Sequence, residues 1–212
     1  MSLPIAKQGW PFILPCIGLS VICLSIGWII CGILLFLLSG FIIFFFRDPE
    51  RDIVKDENVL LSPADGRIIK IDTISQVSSD GTPCTLISIF MSVFNCHINR
   101  IPFSGSVKTR TYNSGKFLPA FREKASILNE QNTIEIECGD FIVKVRQIAG
   151  LIARRIVCFV KEKDEVCQGG RFGLIRFGSR VDMWFPKKFA IQVHSGQKVY
   201  GGKTVIARIK SE

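Results

Sequence analysis

Several things that would announce a function are missing from this chain. Its 212 residues contain only two histidines, His97 and His194. Its eight cysteines stand at 16, 23, 31, 84, 96, 138, 158 and 167, and no two are spaced Cys-x-x-Cys. That removes the usual zinc and dithiol arrangements, and we expect neither a metal nor a disulfide framework. The cysteines read instead as small apolar residues kept reduced in a cytosol. The net charge is +9, yet no nucleic-acid-binding motif accompanies it. Charge itself is absent from a long stretch: no charged side chain lies between Lys7 and Arg47.

What fills that stretch is Ile, Leu, Phe, Val, Gly and Cys, and it lifts the mean hydropathy of the whole chain to +0.33. Beyond Arg47 the composition becomes an ordinary mixture. The chain therefore divides into a membrane-anchoring segment, residues 1–46, and a water-soluble domain, residues 47–212. As one helix, residues 9–46 would be about 57 Å long at 1.5 Å per residue, well past a hydrocarbon core of roughly 30 Å. Two helices of about 17–18 residues turning near Ser25-Ile26-Gly27-Trp28 fit better. Both ends then lie on one side, and Lys7 and the Arg47-Asp48-Pro49-Glu50-Arg51 flank place that side in the cytoplasm. A single tilted span with the domain exported is the alternative. A cleaved signal peptide is disfavoured, because the run is too long and lacks a small-residue cleavage site.

Lys7 is the only charged side chain before Arg47, so +8 of the +9 falls on residues 47–212. Beside an anchor, that charge suits anionic lipid headgroups at roughly 1 kcal/mol per well-placed cation. A generally solvated basic surface is the plainer reading.

From residue 58 onward, short alternating segments are broken by turn residues. They are Val59–Leu61, Gly66–Ile71, Thr85–Phe90, Gly105–Thr111, Thr133–Glu137, Phe141–Val145, Gly150–Val160 and Lys203–Ile209. This predicts a mainly β domain, a compact sandwich or barrel. A Gly followed shortly by Val or Ile recurs at Gly66, Gly105, Gly150 and Gly196, which hints at lipoyl-like hairpins. Phe117–Ser126 lacks alternation and reads as a loop or one helical turn.

The chemistry centres on Arg171-Phe-Gly-Leu-Ile-Arg-Phe-Gly178-Ser179-Arg180-Val-Asp182, which reads as a strand or hairpin with Gly-Ser near a bend. The Gly178 carbonyl carries no neighbouring Cβ, and the next residue offers a hydroxyl. Attack of Ser179 on that carbonyl would turn the peptide bond into an ester. β-Elimination and hydrolysis would then leave a ketone-bearing pyruvoyl terminus. As a bare dipeptide, Gly-Ser is simply a turn.

Taken with its surroundings, Phe-Gly-Ser-Arg-Val-Asp resembles the processing site of phosphatidylserine decarboxylase proenzymes, in their short bacterial and archaeal form. The resemblance extends from the apolar N-terminus to the final strands. It implies self-cleavage into a larger β chain, 1–178, and a small pyruvoyl-bearing α chain, 179–212, which stay together as a heterodimer that could assemble further into a homo-oligomer. His97, in His97-Ile-Asn-Arg100-Ile-Pro-Phe-Ser-Gly105, resembles the family's His-x-Asn-Arg-x-Pro-x-x-Gly stretch. The family's longer members carry a second histidine where Arg100 stands. Asp65, in Ser62-Pro-Ala-Asp65-Gly66, resembles the family's Pro-x-Asp-Gly motif; by pattern alone it is a hairpin turn. The resemblance implies an Asp65–His97–Ser179 triad for self-cleavage, then Schiff-base decarboxylation of phosphatidylserine with His97 as acid–base. Arg100 and Arg180 are the candidate partners of the headgroup phosphate. Asp182 is nearer Ser179 in sequence but, at i+3 on a strand, would face away from it. His194 matches no catalytic motif and reads as surface structure. The alternatives are the same chemistry on archaetidylserine, an archaeal ether lipid, and a non-catalytic, membrane-held lipoyl-like adaptor.

Overall fold

A computed structural model describes residues 4–53, 55–74, 83–115, 129–150, 155–176 and 179–210. The chain forms two compact units, Met1–Glu50 and Arg51–Glu212. The expected loop or turn at Phe117–Ser126, most of the 150–155 stretch, and Gly178 itself lie outside the described residues.

In the first unit, a 3-10 turn leads into α1 (Trp10–Ser25), and α2 (Ile29–Phe45) follows. They are separated at the place the composition suggested. Gly27 takes φ +84°, a left-handed conformation that other residues reach only at a cost. Trp28 N–H then donates 2.8 Å back to the Cys23 carbonyl and closes the end of α1. At the other end, Ala6 N–H donates to the Phe46 carbonyl (2.8 Å) and Asp48 N–H to that of Pro4 (2.7 Å), so the chain enters and leaves together. Between the helices, the Ser20 hydroxyl donates to the Gly32 carbonyl at 2.7 Å. Most outward side chains are large and apolar, among them Leu14, Ile30, Phe36 and Leu37. One helical stretch, Lys7–Ser25, has the length and composition to cross a membrane, and α2 is a shorter apolar helix.

The second unit is mainly β. Its strands are β1 (Val59–Leu61), β2 (Gly66–Ile74), β3 (Cys84–Met91), β4 (Ile98–Arg100), β5 (Gly105–Asn113), β6 (Gln131–Cys138) and β7 (Phe141–Ala149). They continue with β8 (Ile156–Cys158), β9 (Glu165–Val166), β10 (Arg171–Ile175), β11 (Ser179–Pro186), β12 (Phe189–Ile191), β13 (Lys198–Val199) and β14 (Val205–Ile209). Eight strands form one antiparallel sheet in the order β13-β2-β3-β11-β7-β6-β5-β9. Two three-stranded sheets, β4-β10-β8 and β1-β14-β12, accompany it.

Alternation explains the core. On β3, Ile87, Ile89 and Met91 enter it, joined by Ile134 and Ile136 of β6, Val143 and Val145 of β7, and Val181, Met183 and Phe185 of β11. Burial pushes the Cys138 thiol, also in this core, up to about 12, so it behaves as a neutral apolar group.

One sequence expectation is corrected. Arg171–Asp182 does not form a hairpin, because β10 pairs with β4 and β8 while β11 pairs with β3 and β7. The strands on either side of the Gly-Ser pair, β10 and β11, belong to different sheets.

Candidate active site

Ser179 is the first residue of β11, the strand held on both sides at the middle of the large sheet. It lies opposite Met91 of β3 and Ala149 of β7, and it is fully buried. Its hydroxyl donates to the Met91 sulfur at 3.3 Å. A thioether is a weak acceptor, so this hydroxyl is positioned without being strongly engaged.

His97 immediately precedes β4 and is also fully buried. Its Nδ1 stands 2.9 Å from the Asn95 carbonyl. A carbonyl only accepts, so Nδ1 carries the proton and the Nε2 lone pair is the basic site. The His97 carbonyl accepts a hydrogen bond from Ile175 N–H at 3.4 Å. The last residue of β10 is thus tied to the histidine segment just before the chain runs to Ser179.

Asp65 is placed differently from a triad carboxylate. Arg51 grips it with two bonds, Nη1 to Oδ1 at 2.6 Å and Nη2 to Oδ2 at 2.8 Å, and Gly201 N–H donates to Oδ1 at 2.8 Å. In the intact chain the carboxylate hydrogen-bonds to these groups and not to His97. It is linked to the histidine segment through the loop it occupies, where the Pro63 carbonyl accepts from Arg100 N–H at 2.9 Å.

The two candidate phosphate partners are buried, each 4% exposed. Arg100 donates to the Gly169 carbonyl at 2.9 Å. Arg180 forms an ion pair with Asp182 (2.6 Å) and donates to the Ser88 hydroxyl (2.8 Å). Alternation puts Arg180 and Asp182 on the sheet face opposite Ser179. Asp182 also stands across from Arg146 on β7. Burial lowers the Arg146 pKa, and the Asp182 charge opposes that shift. Asp182 thus balances two arginines. His194 is exposed, in the turn before β13.

Sequence reasoning gave no role to a line of buried amides beside Ser179: Asn99, Gln147 and Asn132, with Arg110 at its outer end. A signal was present. Gln147 and Asn132 interrupt otherwise apolar inward-facing series, Phe141-x-Val143-x-Val145-x-Gln147 and Asn132-x-Ile134-x-Ile136, and inward polar positions ask for a reason.

A buried serine at the head of a central strand and a buried imidazole just before β4 are the candidate hydroxyl and base of a mainly β unit, in a chain that also has an apolar helical pair. Residues 38–207 match the phosphatidylserine decarboxylase family. A phosphatidylserine decarboxylase proenzyme of Magnetococcus marinus is 41% identical over 210 residues, covering 98% of this chain and 96% of that one. That of Syntrophus aciditrophicus is 45% identical over 205 residues, covering 94% and 95%. That of Ehrlichia chaffeensis is 44% identical over 213 residues, covering 97% and 92%. The chain belongs to the phosphatidylserine decarboxylase family.

Proposed function

We infer that this chain is a proenzyme that cuts itself between Gly178 and Ser179 and then decarboxylates phosphatidylserine to phosphatidylethanolamine. The observation that carries this is the Ser179 hydroxyl, buried at the head of β11 on a weak sulfur acceptor, in a chain matched to the family over residues 38–207. The names of the relatives favour phosphatidylserine over an ether-lipid analogue, and a decarboxylase over an adaptor.

His97 is the base that takes the Ser179 proton through Nε2, with Nδ1 fixed by the Asn95 carbonyl. Asp65 is the third member, acting through the loop and turn that it ties together with Arg51 and Gly201. The site fits a pyruvoyl group derived from Ser179, because the head of β11 is buried and, among the described residues, the Ser179 side chain hydrogen-bonds to a sulfur. That group supplies the electron sink into which the carboxylate's bonding electrons pass. His97 then delivers a proton to the substrate Cα. Arg100 and Arg180 are the candidate phosphate partners, and Arg180 would have to abandon a buried carboxylate to serve.

The two cleavage fragments remain one unit, because β11 and β14 of the small fragment are laced to β3, β7 and β1 of the large one. The wild-type protein is expected to release CO2 from phosphatidylserine vesicles and to lose that activity on treatment with hydroxylamine, a carbonyl reagent. Activity that survives hydroxylamine would remove the pyruvoyl reading.

The apolar helical pair anchors the protein in the cell membrane, with the β unit on the cytoplasmic face as the Lys7 and Arg47 flanks require. Protease added outside intact cells should leave the β unit whole, and its digestion from outside would reverse the assignment.

A further inference from the structure

The buried amide line ends at the Met91 sulfur, the atom that also accepts from the Ser179 hydroxyl, and its direction is fixed from the surface. Arg110 Nε donates to Asn132 Oδ1 at 3.2 Å. A guanidinium can only donate, so Asn132 must turn its oxygen outward and its nitrogen inward. Asn132 Nδ2 donates to Gln147 Oε1 at 3.0 Å, and Gln147 Nε2 donates to Asn99 Oδ1 at 2.8 Å. Each amide therefore sets the next, and Asn99 is left with its NH2 at the end of the line away from Gln147. That NH2 reaches the Met91 sulfur at 3.7 Å, the same atom that holds the Ser179 hydroxyl. Asn99, Gln147 and Ser179 are fully buried, and Asn132 is 1% exposed. Four polar side chains in a sheet interior are costly to desolvate, and a thioether is a poor terminal acceptor for two donors.

The backbone makes room for the line. Gln147 and Asn132 are direct cross-strand partners on β7 and β6. Over them lies β10, where a Cβ at Gly173 would stand 2.5 Å from Gln147 Nε2 and 2.6 Å from the Val157 carbonyl. Gly173 in Arg171-Phe-Gly-Leu-Ile is thus the residue that leaves space for the Gln147 amide.

We propose that Asn99 is a hydrogen-bond donor to Ser179 Oγ during maturation, and that Gln147, Asn132 and Arg110 are positioning residues that fix its polarity. This rests on the self-cleavage reading above. When Oγ attacks the Gly178 carbonyl, its proton passes to His97 and on to the Ser179 nitrogen as the peptide C–N bond breaks, leaving an ester through Oγ and a free amine at residue 179. A base then removes the Ser179 Cα proton, and the electrons of that C–H bond form the Cα=Cβ bond. The Cβ–Oγ bond breaks with its electron pair on Oγ, which departs as part of the Gly178 carboxylate. Negative charge develops on Oγ as it departs in the elimination, the step that separates the two fragments, and a fixed N–H beside it stabilises that charge more than the ground-state ester oxygen. After elimination Oγ belongs to the departed terminus, so the donor's work is finished before lipid turnover begins.

Asn132→Asp tests this at a distance from the serine and without a change of volume. The new carboxylate keeps Arg110 but cannot donate to Gln147. Gln147 then turns its nitrogen outward, Asn99 turns likewise, and a carbonyl oxygen replaces the N–H beside Oγ. The expected result is self-cleavage slowed on the order of 10²-fold. Thermal stability should be retained, and CO2 release per pyruvoyl group in whatever fraction matures should stay near wild type. Cleavage at the wild-type rate in folded Asn132→Asp protein overturns the proposal, as does an equal loss of cleavage and turnover, which marks a merely structural role. Should Asn132→Asp not fold, Asn99→Asp serves: it still accepts from Gln147 but has nothing to donate, so slow cleavage supports the proposal and wild-type cleavage overturns it. A wild-type chain that never cleaves defeats the self-cleavage reading itself, a different failure from either.

Discussion

Ser179→Ala protein is expected to remain one uncut chain of 212 residues and to release no CO2 from phosphatidylserine. Both losses follow from one atom, since Oγ is the nucleophile of cleavage and cleavage is the source of the catalytic carbonyl. Stability should barely change. The hydroxyl makes one hydrogen bond, to the sulfur of Met91, and a net hydrogen bond is worth about 0.5–1.5 kcal/mol even with a good acceptor. The comparison to make is the electrophoretic pattern, CO2 release and melting temperature of the variant beside wild type. Folded Ser179→Ala protein that still appears as two fragments would place the cut elsewhere.

Asp65→Asn and His97→Ala should fail at different stages. Losing His97 removes the acid that returns a proton to Cα, so decarboxylation should fall ~10²–10⁴-fold even in protein that has matured. Losing the Asp65 charge leaves the Arg51 guanidinium, 9% exposed, without the carboxylate that grips it. Breaking a buried pair from one side costs roughly 3–5 kcal/mol, so Asp65→Asn should be less stable as well as slow to cleave. Adding Arg51→Met removes the other half of that pair and should restore stability. If the double variant also regains cleavage, Asp65 serves the fold alone. If cleavage stays slow at restored stability, the carboxylate itself serves the serine. For His97 the readout is CO2 per pyruvoyl group in isolated cleaved protein; a wild-type rate there would end its assignment as the acid–base of turnover.

Much of the architecture was legible because its signals are local. The uncharged run, the glycine at 27 and the alternation at Thr133–Glu137 and Phe141–Val145 each depend on neighbours in sequence. β11 hid its alternation because both of its faces are buried: Val181 and Met183 lie in the core, while Arg180 and Asp182 satisfy each other on the far side. Its separation from β10 was illegible for another reason. Two apolar runs flanking a small pair look like a hairpin, and only distant partners, β3 and β7 against β4 and β8, send them to different sheets. The site divides the same way. Ser179 and His97 stood out through short motifs, whereas the grip of Arg51 on Asp65 and the Asn99–Gln147–Asn132 line are tertiary pairings. Asn99 and Gln147 are 48 positions apart, and the sequence carries no sign that these amides meet.

The chemical nature of the terminus at residue 179 decides most, and the intact mass of the denatured wild-type protein reads it directly. A fragment of residues 1–178 and another beginning at 179 are expected. The second should have the mass of its sequence with the serine replaced by a pyruvoyl group, and it should yield no residue on Edman degradation. An active protein that gives only the full-length mass, or a small fragment that begins with an ordinary serine amine, would contradict self-cleavage to a pyruvoyl terminus.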